Sequence, residues 1–465
     1  MSFVSIEFVF TALVFYPIFW SLKTNKSLQV YFLIFSGYVL YASWSPGSAV
    51  ALLYFTGYIW LAGRWINSAG DIGKRRLLLA SGILVGMVWL LVSKYYEFFR
   101  QSAVEVLLHL DLHILLPVVD IVAPVGISFF TFQAISYLSW QSQIELQDTR
   151  FAKPLLYLAF WPTHFAGPIF RAKDFFKQLS QDDFGSPIHT ELAVYYIFLG
   201  TVQKVVLANW LGSNFVDEAF KYPDTQNAVS TLAAVLGYAL QIFLDFSGYT
   251  LIVTGLGLLL GFTLPINFRQ PYLAVSLKDF WRRWHISLSM FIRDYVYIPL
   301  GGNRFGYIRA QINIMIAMLI SGLWHGASNT FIVWGAIHAI GMAGQNLYKK
   351  LIGIKFPALV SRLMTFSFVC LAWIFFRADS TDTALQLIKG FSRYSGKFGN
   401  QHIYLLLFIA LFFILSARKY YYEQRVVHLI KLMRGWKMTA VATLMIFMVI
   451  WFGPSGVPEF IYYRF

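Results

Sequence analysis

Apolar residues in this chain come in long blocks, most of roughly 17–25 residues, rather than in alternating or amphipathic strips. Such blocks lie near 3–21, 28–44, 49–66, 76–92, 119–139, 151–170, 190–210, 229–262, 309–345, 358–376, 401–416 and 437–453. Each is long enough to cross about 30 Å of hydrocarbon as a helix. Backbone groups in lipid must find their partners within the segment, so the pattern predicts helices and not open strands. The expected fold is an all-α polytopic transmembrane bundle of about ten to thirteen spans, formed by one integral-membrane domain over residues 1–465. Interfacial or re-entrant helices are expected between the spans.

Polar residues between the blocks give an orientation. Lys23 and Lys26 follow the first block, the turn Ser45-Pro46-Gly47 is neutral, and Arg64, Lys74, Arg75 and Arg76 follow the third. The positive-inside rule then puts the N-terminus outside and these basic loops in the cytoplasm. The first block carries Glu7 and has no basic region before it, so an uncleaved span is expected.

Composition changes this picture little. The chain is 58% hydrophobic and only 13% charged, far from a soluble domain. The net charge of +15 would suggest nucleic acid in a soluble protein. With no basic domain apart from the spans, anionic lipid is the simpler partner and no nucleic acid is expected. A single cysteine, Cys370, excludes a disulfide and a thiolate metal centre, and no metal site is expected. Walker, HExxH and Rossmann glycine patterns are absent.

Ionisable groups away from the loops are costly in a membrane and therefore mark candidate function. In WRRWHISLSMFIRDY (281–295), Ser276 and Asp279 have the spacing of a capping box, so a helix is expected to start there and to stop before Pro299. On that helix Trp281, Trp284, Leu288, Phe291 and Tyr295 form one face, with Arg282, Ser289 and Arg293 roughly opposite. An interfacial anchor explains the tryptophans and arginines but not His285, which falls on the seam. In SGLWHGASNTFIVWGAIH (321–338), His325 sits among small residues that admit close approach of a helix or a substrate. An interhelical hydrogen bonder and an active-site residue both fit it, whereas His338 reads as structural. Asp245 is a carboxylate within a span, suited to pairing with an arginine or hydroxyl. His164 lies at a proline-broken turn that suits a re-entrant or substrate-lining element. Gly301-Gly302-Asn303-Arg304 has the makings of an anion-binding turn.

Five stretches together resemble the membrane-bound O-acyltransferase family, in its branch of bacterial alginate O-acetyltransferase membrane subunits. They are APVGISFFTFQAISY (123–137), FWPTHFAGPIFR (160–171), ALQIFLDFSGY (239–249), the block 268–304 and SGLWHGASNTFIVWGAIH (321–338). FWPTHFAGPI is nearer to the relatives that D-alanylate teichoic acids. The resemblance implies an O-acyltransferase with a central tunnel, in which His325 is the family's active-site histidine and His285 its second polar position. It implies donor contacts from Arg282, Arg283, Asn303 and Arg304, and a tunnel lined by Trp324, Asp245 and His164. It further implies acetyl-CoA as a cytoplasmic donor, with no cofactor held permanently. A periplasmic SGNH-hydrolase-like partner, a polysaccharide acceptor and the bacterial inner membrane complete the expectation. The alternatives are transfer of D-alanine or another acyl group to teichoic acid or peptidoglycan. From a different class, a proton-coupled transporter or flippase would use the histidines and Asp245 as a relay.

Overall fold

The computed structural model describes residues 3–114, 116–119, 121, 123–143, 150–181, 184–394, 398–433 and 436–452. Among them the regular structure is helical. Among the described residues eight helices are long and apolar enough to cross a membrane, from Ile6–Thr24 to Asn400–Ala417. Large apolar side chains such as Phe10, Leu53, Leu84 and Leu407 stand exposed on these helices, as expected where lipid is the solvent.

Several apolar blocks fold as something other than one uninterrupted helix. Block 28–44 gives Lys26–Ala42, a helix of 17 residues, and block 119–139 gives Ile127–Gln141, of 15. Block 151–170 breaks at Ala159-Phe160 into Ala152–Leu158 and the single turn Trp161–His164, where Pro162 sits in the first turn. Block 309–345 breaks at Gly326, which is extended and separates Gly306–His325 from Asn329–Leu351. Ser328 caps the second of these by accepting from the Thr330 amide.

The described chain groups into two compact units. The first holds residues 1–190 and 256–265. Its core is Ile127–Gln141, in which every residue but Ser139 is buried. That helix carries no charged residue, and its buried polar side chains include Gln133, which donates to Thr163, and Gln141, which donates to Tyr137. Gly37 lets the Lys26–Ala42 helix reach the backbone of Ala159, where a Cβ would meet the carbonyl oxygen at 2.3 Å.

The second unit holds residues 191–255 and 266–465. Thr190–Thr201 continues through a π-helical stretch, Val202–Ala208, packed against Ala228–Leu259. A Cβ on Gly200 would meet the Gly248 carbonyl at 2.5 Å, so the two helices cross backbone to backbone. Beside this crossing Lys204 and Asp245 form a buried ion pair. Gly306–His325 and Asn329–Leu351 pack as an antiparallel hairpin by the same device, with Gly322 against the Phe331 carbonyl and Gly335 against that of Met318.

Candidate active site

The second unit brings His285 and His325 together around one indole. His325 is the last residue of Gly306–His325 and is buried. Its ring meets the edges of Trp324 at 5.0 Å, Trp334 at 5.1 Å and Phe376 at 5.0 Å. His285 is wholly buried, with its ring 4.7 Å from Phe246 and 5.8 Å from Trp324. Trp324 therefore touches both imidazoles. Burial takes the pKa of His285 down to about 3, so at neutral pH it is an uncharged ring offering one donor and one acceptor.

The helix expected to run unbroken from 276 towards Pro299 does not. Ser276 caps its start as anticipated, accepting from the Asp279 amide at 3.1 Å. The helix Leu277–Trp281 then ends, and a second, Ile286–Ile292, begins after His285. His285 has φ 40° and ψ 55°, a left-handed conformation that costs a non-glycine residue about 1–3 kcal/mol. The break takes His285 off the helical seam and encloses it. Trp284 drops into the core against Phe268 and Trp373.

A cavity of about 1020 Å³ is lined by the segments that carry the two histidines, though by neither imidazole ring. Its lining follows Gly306–His325 turn by turn, from Gly306 and Tyr307 to Ser321, one turn short of His325. On the opposite wall it reaches Ile286, the residue after His285, and Trp281. Four cationic side chains, Arg269, Lys278, Arg282 and Arg293, line it without any carboxylate among its lining residues. Tyr297 and Asn303 add polar groups, the tyrosine hydroxyl donating to Asn303 Oδ1 at 2.8 Å. Arg293 Nε also donates to Asp294 Oδ1 at 2.7 Å, and size, concavity and a lining rich in positive charge suit a polyanion of ligand dimensions.

The other anticipated residues fall in several places. Arg282 and Asn303 line the cavity. Arg283 and Arg304 are not among its lining residues. Arg283 instead binds Asp279, Nε donating to Oδ1 at 2.9 Å, and Arg304 lies in the exposed turn before Gly306. Asp245 is held by Lys204 and is not on the cavity wall. His164 belongs to the first unit, between Tyr41 and Phe130, where its Nδ1 donates to the Leu158 carbonyl at 2.6 Å. Lys278 and Arg293, from the same basic segment, also line the cavity, whereas Arg269 was not anticipated there. Their positive charge was visible in the sequence, but not the turn that collects it.

The chain matches the model of MBOAT, the membrane-bound O-acyltransferase family, over residues 24–380. It is 33% identical over 402 residues to the probable alginate O-acetylase of Pseudomonas aeruginosa, covering 84% of this chain and 74% of that protein. It is 30% identical over 396 residues to the peptidoglycan O-acetyltransferase of Helicobacter pylori, covering 79% and 74%. With the teichoic acid D-alanyltransferase of Bacillus subtilis it shares 28% over 280 residues, or 55% and 69%. A multi-helix bacterial membrane protein with these likenesses is an O-acyltransferase, and the chain belongs to the membrane-bound O-acyltransferase family.

Proposed function

We propose that the cavity takes a cytoplasmic acetyl thioester, acetyl-CoA, and that His325 serves transfer of its acetyl group to an extracytoplasmic polysaccharide hydroxyl. The observation that carries the reading is a cavity lined by four cations whose wall includes Ile286, the residue after His285, and Ser321, one turn before His325. Arginines and a lysine hold phosphates by charge-assisted hydrogen bonds. The thioester is already activated, so transfer needs chiefly a positioned base and a group to meet the developing oxyanion.

In this reading a His325 ring nitrogen accepts the proton of the acceptor hydroxyl as its oxygen attacks the thioester carbonyl. The C–S bond then breaks, and the thiolate leaves with the proton that His325 returns. His285, neutral at working pH, donates a hydrogen bond to the carbonyl oxygen as charge builds on it. The likeness to alginate and peptidoglycan O-acetylating proteins favours a cell-envelope polymer, alginate-type, reached through an SGNH-hydrolase-like partner in the periplasm. The enzyme then sits in the inner membrane with its N-terminus outside. The likeness to a teichoic acid D-alanyltransferase supports a second reading, in which the acyl group is D-alanyl.

Membranes carrying the chain, given acetyl-CoA radiolabelled in the acetyl group, are expected to pass label to polymer or partner protein. Replacing His325 by Ala should lower that transfer by about 10²–10⁴ while the protein remains inserted and monodisperse. Undiminished transfer by the variant would remove His325 from the reaction. Label moving only from a D-alanyl donor would select the second reading.

A further inference from the structure

We infer that Asn267 is a positioning residue that holds His285 in its left-handed conformation, and so sets where the second histidine presents its ring. The inference rests on the proposed role of His285 and concerns a residue outside the cavity and outside both histidines.

Three hydrogen bonds tie Asn267 to the residues that follow His285. Its carbonyl oxygen accepts from the Ile286 amide at 3.0 Å. Its side-chain Oδ1 accepts from the Ser287 amide at 3.2 Å and from the Ser287 hydroxyl at 2.6 Å. Two residues on, the Arg269 amide donates to the Arg283 carbonyl at 3.0 Å. Residues 267–269 therefore clamp the chain on both sides of Trp284-His285. The amides of Ile286 and Ser287 are the first of a helix and have no acceptor within it. A residue at the N-cap ordinarily supplies one from its own side chain, but His285 makes no such bond. Asn267 supplies both from 18 residues upstream. Its side chain is almost completely buried, and Nδ2 has no hydrogen-bond partner among the described residues, so the whole visible use of the amide is the oxygen that faces Ser287.

Released from this clamp, a non-glycine residue at 285 would fall back to the right-handed region, since positive φ is strained for it. The first helix would then extend past Trp281, as the sequence pattern by itself favours. That relaxation would rotate the imidazole away from Trp324 and the end of the cavity. Burial of a hydrogen-bonded asparagine would thus serve geometry at a neighbour rather than contact with substrate.

The test pairs two readouts on the purified full-length chain. In the first, thermal unfolding in detergent is compared for Asn267→Ala in the native, His285→Ala and His285→Gly backgrounds. Glycine takes the left-handed region without cost, so Asn267→Ala should lower the midpoint clearly in the first two backgrounds and much less beside glycine. Equal loss in all three overturns the inference, whatever the activity does. In the second, acetyl transfer from labelled acetyl-CoA should fall by about tenfold or more in kcat for Asn267→Ala, with KM for acetyl-CoA within about twofold. In a His285→Ala background Asn267→Ala should add nothing. If Asn267→Ala cannot be purified, Ser287→Ala, which deletes one of the two bonds to Oδ1, carries both readouts with the same expected signs. A rise in KM with kcat intact, or additive losses, overturns the positioning role. Full activity of His285→Ala alone, with the unfolding pattern retained, would instead strike the proposed role of His285 and leave the clamp standing.

Discussion

Two histidines that share one indole are suited to different work because their surroundings differ. His325 ends a helix at a ring of aromatic edges, beside the small residues Gly326 and Ala327. His285 is sealed in and neutral, its pKa lowered by burial to about 3. An amide can replace its hydrogen bonds but not its proton chemistry, so His285→Asn should retain far more acetyl transfer than His285→Leu. The sign of the linkage gives a second expectation. The unfolded chain protonates this histidine below about pH 6.5, whereas the folded chain does not until near pH 3, so its contribution to stability is full above 6.5 and is lost as pH falls. The unfolding midpoint of His285→Asn should therefore fall less than that of the native chain between about pH 6.5 and 4. Parallel curves would show that the ring is not buried neutral.

Helices here are joined by missing side chains as much as by present ones. At Gly322 a Cβ would lie 2.3 Å from the Phe331 carbonyl oxygen, a backbone atom that cannot swing aside. Gly322→Leu should therefore abolish monodisperse, inserted protein, whereas Gly344→Leu, with nothing within 4 Å of its Cβ, should be tolerated. Size-exclusion profiles of the two, expressed side by side, would check this. Such crossings also explain which elements could be read from the sequence. Apolar runs announced the helices, and Ser276 with Asp279 announced one helix start correctly. The break at His285 carried no local signal, because its cause is Asn267 far upstream. Block 309–345 looked continuous because Gly326 and Ser328 interrupt the hydropathy too briefly to lower a long average. The site was legible as a pair of histidines, and its cations as a charge excess. Which arginines face the cavity was not, since Arg282 and Arg283 are neighbours with opposite fates.

Across the molecule, net charge and cavity charge point the same way. Arg269, Lys278, Arg282 and Arg293 face the cavity in a chain whose formal charge is +15, and anionic lipid adds about 1 kcal/mol per basic residue near the surface. The cavity should then open to the cytoplasm. A cysteine introduced by Asn303→Cys, in a Cys370→Ser background that removes the native thiol, should react with an impermeant maleimide in inside-out vesicles and not in spheroplasts. Labelling from the outer side would reverse the topology and the route of the donor. The length of the cavity has a chemical consequence of its own. Its lining runs from Gly306 to Ser321, about 22 Å at the rise of an α-helix. A cavity lined over that length suits a donor whose anion and reactive carbonyl are joined by a long, slender arm. Acetyl phosphate, with the same acetyl group bonded directly to an anion, is too short to reach both ends and should not replace the thioester at any concentration.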